Sequence, residues 1–201
     1  MLTDKEVEMD DKQTVKMNLQ NQLLVAMPNL EDDYFSRAVI YICEHTEQGT
    51  MGLVINQPTD LSITELAAKV NFMMKIDRTL PNQAVLAGGP VNVERGFILH
   101  TPIRKPLQHS YRITDRLSLT TSADIIETFG SPDSPEKYLV VLGCAAWVPG
   151  QLEQEIGRND WLVVPADDSV LFDTPYEQRW LAAQKLLGFE SYNLSDKAGR
   201  A

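Results

Sequence analysis

Short apolar runs separated by turn residues dominate the chain after residue 17, and they predict strands more than helices. Ala38–Glu44 and Gly52–Asn56 flank Gln48-Gly49-Thr50, which reads as a hairpin. Val39, Tyr41 and Cys43 alternate with Ala38, Ile40 and Ile42, so both faces of the first run are apolar. Strands buried on both faces belong to a sheet covered on both sides. Further strands are predicted at Gln83–Ala87, Gly96–Thr101, Tyr111–Thr114, Tyr138–Gly143, Trp161–Val164 and Val170–Phe172.

Helices are marked by their ends. Ser62-Ile63-Thr64-Glu65 has the form of a capping box, and Thr174-Pro175-Tyr176-Glu177 repeats it with proline at the first helical position. The second helix should run to Gly188 and turn Tyr176, Trp180 and Leu187 to the core, and Ser122–Phe129 predicts another ended by Gly130. At Trp147–Glu153, Val148 is the expected cap and Pro149 the first helical residue. Gln151 would then reach back to the cap amide, while Trp147 packs on Leu152. Glu153 is left pointing away from that face. Strands and helices in mixed order predict an α+β fold with a mixed sheet. Residues 1–16 are polar and lack periodic apolar positions, which predicts an acidic, disordered tail before one domain at 17–201. Met17 is a candidate alternative start.

Charge narrows the partners. The chain carries 28 acids against 18 bases, a formal charge of −10, which repels phosphate backbones and anionic lipid. From Arg95 to Arg116 five bases face Asp115 alone, a net of +4. From Gln151 to Glu177 seven acids face Arg158, a net of −6. Two solvated surfaces explain this blandly. The sharper reading is an anion site near Arg104 and Arg112, or head-to-tail association of the two patches. Two cysteines outside any Cys-x-x-Cys pair, no apolar window of membrane-spanning length and an acidic N-terminus predict a cytoplasmic protein with reduced thiols and no membrane contact. Three histidines at 45, 100 and 109 form no zinc spacing, so no metal or cofactor is expected.

Three segments place small or polar residues where a core pattern does not ask for them: 49–58, Gly88-Gly89-Pro90-Val91 with the following Arg95–His100, and 142–153. These blocks carry a resemblance. Ala26-Met27-Pro28 with Phe35, Gly52-Leu53-Val54-Ile55-Asn56, Gly88-Gly89-Pro90-Val91, Leu99-His100, and Trp147 with Pro149-Gly150-Gln151-Leu152-Glu153 stand in the order of the AlgH/YqgE family of small bacterial proteins. The sequence resembles that family from about Leu19 onward. It departs at Cys144, where an aromatic is usual, at Ala146 for glycine, and at Arg200 for a C-terminal histidine. The resemblance implies a mixed, largely antiparallel sheet wrapped into a partial barrel with flanking helices. It implies a regulatory label and no defined reaction.

The leading expectation is a non-catalytic binding or regulatory protein that engages an unknown protein or small-molecule partner. Loops on a rigid scaffold collect binding residues. Asn56, Gly88, Gly89, Pro90, His100, Trp147, Gly150, Gln151 and Glu153 are therefore expected to border one groove. The scaffold reading of each is a sharp turn, a cap or a satisfied core histidine. A second expectation is a hydrolase or transferase using Cys144 or His100, with His100 as the candidate base for a Cys144 thiolate. Against it, the glycines of a nucleophile turn are replaced by Leu142 and Ala146. Cys43 reads as an inert core thiol, and His45 as exposed. Direct DNA binding by a transcriptional regulator is the third expectation, supported only by segment 95–116 and opposed by the global charge.

Overall fold

The computed structural model describes residues 17–70, 80 and 83–188. The tail expected at 1–16 lies outside the described residues. The chain forms β1 (Gln22–Ala26), β2 (Val39–Thr46), β3 (Gly49–Val54), β4 (Pro58–Ser62), α1 (Ile63–Val70), β5 (Ala84–Ala87), β6 (Val91–His100), β7 (Ser110–Arg112), β8 (Ser118–Thr120), β9 (Tyr138–Trp147), α2 (Gln151–Gly157), β10 (Trp161–Pro165) and α3 (Arg179–Lys185). One sheet runs β10-β1-β2-β3-β9-β6-β8-β7, with β5 beside β9 and β4 beside β5. Every pairing is antiparallel except β5 with β9. The sheet curls into a half-barrel, so the fold is α+β as the sequence implies. Gln20, just before β1, donates its Nε2 to the Cys43 carbonyl and to the Tyr111 hydroxyl of β7 at the far end of the sheet order.

Alternation along the strands makes two cores, because successive side chains leave a strand on opposite faces. Leu23, Val25, Val39, Tyr41, Cys43, Leu53 and Ile55 share one cluster with Phe97, Leu99 and Val141. Leu24, Ala26, Ala38, Ile40, Ile42 and Val54 share the other with Trp147, Leu152 and Trp161. The first cluster is joined by Tyr176, Trp180 and Leu187, as the helical spacing predicts. The second is covered by Leu30, Tyr34, Phe35 and Ile156. A third cluster gathers Ile63, Ile98, Phe129 and Val140, with Tyr138 stacked on Phe129 at 4.1 Å between centroids.

The hairpin over Gln48-Gly49-Thr50 forms, with Thr46 opposite Gly49. So does the first capping box: Glu65 Oε2 accepts from the Ser62 amide at 2.8 Å, and Ser62 Oγ accepts from the Glu65 amide at 3.1 Å. Three strands, β1, β4 and β8, lie outside the predicted set. Val170–Phe172 is not a strand but part of a π-helical turn, Ser169–Asp173. Asp167 Oδ1 accepts from the Ser169 and Val170 amides, and the Thr174 amide closes on the Ser169 carbonyl at 2.8 Å. Three apolar residues cannot by themselves distinguish these states.

The second capping box does not form. The Thr174 hydroxyl donates to the Ser169 carbonyl instead, and Tyr176–Gln178 is a 3-10 turn ahead of α3. Ser122 likewise leaves the following amides uncapped, and Ala123–Thr128 is 3-10 rather than α-helix. Its hydroxyl is held by the Gln108 carbonyl and by Asp124. Strands β6 and β9 run longer than predicted. Val91 pairs with Cys144 and Gly96 with Leu142, so residues 92–95 bulge out of the ladder between them.

Candidate functional site

The Gly88-Gly89-Pro90 turn is welded to its neighbours. Gly88 donates to the Leu142 carbonyl at 2.7 Å and accepts from the Val54 amide at 2.9 Å. A Cβ on Gly89, at φ +152°, would fall on the Cys144 backbone. Its amide reaches the Tyr34 hydroxyl, whose pKa is nonetheless raised by burial. The turn therefore fixes loop 27–37 against β9. Asn56 serves the same loop from below, accepting from the Val39 amide at 2.8 Å and donating to the Arg37 carbonyl at 2.9 Å. Both its amide atoms are engaged by backbone.

After β9 the chain turns at Val148-Pro149-Gly150 and enters α2. Gly150, at φ +77°, is the cap, where Val148 is expected, and the helix starts at Gln151 rather than Pro149. No Cβ would meet anything there, so only the left-handed backbone calls for glycine. The reach-back of Gln151 is present nevertheless: its Oε1 accepts from the Val148 amide at 3.2 Å. Trp147 and Leu152 pack in one cluster. Glu153 turns to His45 at 3.5 Å, and His45 Nδ1 meets Thr50 Oγ1 at 2.7 Å. His45 is thus half-buried rather than exposed.

Loop 27–37, the Pro90 turn and α2 enclose a cleft of about 300 Å³. Phe35, Trp147 and Trp161 form its aromatic wall, with Phe35 and Trp147 each edge-on to Trp161 at 5.7 and 6.2 Å. In its lining Glu155 Oε2 accepts both indole N–H groups, from Trp147 at 2.8 Å and Trp161 at 2.9 Å. Glu155 Oε1 accepts from Gln151 Nε2 at 2.9 Å. The rim carries Glu31, Asp32 and Asp160 against Arg158, whose Nε and terminal nitrogen both bind Asp160 Oδ2. With Glu155, four acids face one base.

Of the nine residues expected around one groove, Pro90, Trp147 and Gln151 line this cleft. Gly88, Gly89 and Gly150 shape its borders through backbone, Asn56 supports its loop, and Glu153 faces His45. His100 lies elsewhere. It lines a second concavity of about 380 Å³ with Lys105, Ser110 and Arg112. Glu155, Trp161 and Asp160 are absent from the sequence-based set. The signal was a Gln151–Glu155 pair at helical spacing with a tryptophan on either side.

Cys144 and His100 do not form a dyad. In the β6–β9 ladder Val91 stands opposite Cys144 and Tyr138 opposite His100. Six residues of strand at roughly 3.3 Å each put them on the order of 20 Å apart. Cys144 is 3% exposed, and burial raises its pKa against a smaller opposing pull from Arg95. Cys43 is raised further, by complete burial and then by Cys144. His100 is 2% exposed, with Nδ1 on the Thr101 carbonyl at 2.7 Å and Nε2 on Thr120 Oγ1 at 2.8 Å. Burial lowers its pKa. A carbonyl only accepts, so the proton sits on Nδ1 and Nε2 is an acceptor.

Three of the five bases in the basic segment meet a carboxylate within the molecule. Arg112 binds Asp115 at 2.7 Å, Lys105 meets Glu127 at 3.6 Å, and Arg116 pairs with Asp168. Segments 95–116 and 151–177 thus meet within one chain. Among the described residues no helix is long and apolar enough to cross a membrane, and no group of three or more His, Cys, Asp or Glu could hold a metal ion.

A curled, largely antiparallel sheet forming a half-barrel with a few flanking helices defines the class of this protein. The model of the AlgH-like family matches residues 23–192, and the chain belongs to that family. It is 66% identical to a UPF0301 protein of Pasteurella multocida over 91% of this chain and 98% of the relative. A UPF0301 protein of Actinobacillus pleuropneumoniae is 52% identical over 92% and 98%. The solution structure of AlgH from Pseudomonas aeruginosa superposes with a TM-score of 0.72 at 38% identity, covering 94% of this chain and all of that one. Protein DIP2367 from Corynebacterium diphtheriae gives 0.65 at 25% identity, covering 84% and 87%.

Proposed function

We propose that this is a non-catalytic binding protein of the cytoplasm, with a regulatory role, whose working surface is the cleft between loop 27–37 and α2. The observation that carries the reading is Glu155, a carboxylate in the lining of the cleft fixed by two indoles and an amide. Polar groups that converge beside aromatic side chains in a concavity are what ligand and partner sites use to fix orientation. Cytoplasmic placement rests on two free thiols, Cys43 and Cys144. The test fills the cleft. Ala146 is exposed on β9 and lines it, so Ala146→Tyr suits the strand and occupies the space. Affinity capture followed by mass spectrometry of proteins and small molecules should lose its specific species with this variant. Retention of the same species by a folded Ala146→Tyr protein would remove the cleft from the function.

A second reading is a hydrolase at the other concavity. Its observation is the chain from His100 Nε2 to Thr120 Oγ1 at 2.8 Å and on to Ser110 Oγ at 2.9 Å. In that reading a proton passes from Ser110 through Thr120 to His100, and Cys144 takes no part. A fluorophosphonate probe should label Ser110 if it holds. Absence of labelling under conditions where a serine hydrolase reacts ends it.

A further inference from the structure

We infer that the cleft beside α2 takes a guanidinium group, the side chain of an arginine in a protein or peptide partner. The inference rests on the binding reading above and names the chemistry of its ligand. Each donor side chain of the cleft already serves one of the cleft's own carboxylates. Both indole N–H groups and a Gln151 amide hydrogen are directed to Glu155. Arg158 is directed to Asp160. Acceptors are left over. Asp32 Oδ1 accepts from the Tyr34 and Phe35 amides, while its Oδ2 takes no hydrogen bond among the described residues. Asp160 Oδ2 takes Arg158, while Oδ1 takes none among the described residues. Glu155 Oε1 has one partner and room for a second.

Spare carboxylate oxygens beside an aromatic wall, in which Phe35 is half-buried and Trp147 and Trp161 are 6% and 4% exposed, ask for a donor-rich, planar cation. Guanidinium supplies five N–H groups in a fork that matches carboxylates and is weakly enough hydrated to sit against aromatic rings. An ammonium is a compact, strongly hydrated point charge and fits the wall less well. Net charge acts in the same direction: the cleft gathers four acids against one base on a molecule of −10. Arg158 already shows the interaction, as a guanidinium of this chain held by a rim carboxylate at 3.0 Å.

The three tryptophans give the measurement. Trp147 and Trp161 donate to Glu155, and Trp180 donates to the Ala26 carbonyl at 2.8 Å, so its indole is an internal control. Isotope-labelled full-length protein is titrated with the blocked peptides Gly-Arg-Gly, Gly-Lys-Gly and Gly-citrulline-Gly while the indole N–H resonances are followed. The arginine peptide should move the Trp147 and Trp161 signals saturably and leave Trp180 in place, with a Kd on the order of millimolar for one charged contact. Citrulline, the neutral planar twin, should move none, and lysine should bind more weakly than arginine. Glu155→Gln should weaken arginine binding by about tenfold or more, the loss of one charge-assisted contact. Arg158→Ala should strengthen it by freeing Asp160. The rim variant Asp32→Asn/Asp160→Asn keeps the Glu155 network and should weaken binding if Glu155→Gln does not fold. Equal shifts with citrulline, or none with any peptide, overturn the guanidinium class. The binding reading then stands if Ala146→Tyr still abolishes capture, and falls with it if capture is unchanged. Concentration-dependent self-association in sedimentation, abolished by the same cleft variants, would assign the cleft to a second copy of the chain and overturn the inference too.

Discussion

Two buried polar side chains are held by different means, and they predict different responses. Arg179 is 2% exposed, yet what it binds is backbone: the Thr174 carbonyl through Nε at 2.9 Å and the Ile55 carbonyl through a terminal nitrogen. Its guanidinium also lies 4.6 Å from the Tyr176 ring centroid. Burial brings its pKa down to about 10, still far above neutral, so the charge is retained. Arg179→Ala should cost about 3 kcal/mol, because two carbonyls lose a charged donor and a large cavity opens. Urea denaturation of the two proteins checks this, and a change below about 1 kcal/mol would mean that water replaces the guanidinium. His100 responds to pH. Its folded pKa lies below the usual histidine value because the neutral ring is buried between Thr101 and Thr120. The unfolded state therefore takes up the proton first, and stability rises with pH through the window below about 6.5. As pH falls through the depressed folded pKa that stability is lost. Replacing His100 with Gln should flatten this part of a pH–stability profile. An unchanged slope would place the proton uptake elsewhere.

At the scale of elements, the glycines of the two site-forming turns separate clearly. Gly89→Ala drives a Cβ into the Cys144 backbone at a left-handed φ, so either the turn or the β6–β9 register must give. The expected cost exceeds about 3 kcal/mol, strain and clash together. Gly150→Ala meets open space and should cost only the left-handed penalty of about 1–2 kcal/mol. Thermal melts of both variants decide it: similar losses would mean the Gly89 turn yields without disturbing β9. The same two turns show what was legible in the sequence. Alternation at Val39–Cys43 revealed a sheet buried on both faces, because side-chain direction in a strand is local. The Gln151 reach-back was legible for the same reason. The 92–95 bulge was not, since it depends on which residue of β9 faces Val91. Thr174 and Ser122 carry cap-forming hydroxyls, but Ser169 and Gln108 bind them first, a contest that only neighbouring turns decide. Glu155 was hidden because its partners, Trp147 and Trp161, arrive from two different strands.

Across the whole molecule, the distribution of charge bears on nucleic acid. Segment 95–116 would be a basic patch if its side chains stood free. In the fold Arg112, Lys105 and Arg116 each meet a carboxylate, and Arg95 lies 5.6 Å from the Phe97 ring centroid. Such exposed pairs contribute little to stability, yet they cancel part of the local field that a phosphate would meet. What remains is a molecule of −10 with four acids lining the cleft. Non-specific duplex affinity comes chiefly from neutralised phosphates and released counterions, and this surface offers few sites for either. Mobility shifts with duplex DNA at physiological salt should show no complex at submicromolar protein. Lowering the salt should not rescue binding steeply, because few counterions would be released. A shift at submicromolar protein with a steep salt slope, abolished by Arg104→Glu/Arg112→Glu, would show that the ion pairs open to admit phosphate. The second concavity would then be a nucleic-acid contact rather than a neutralised surface.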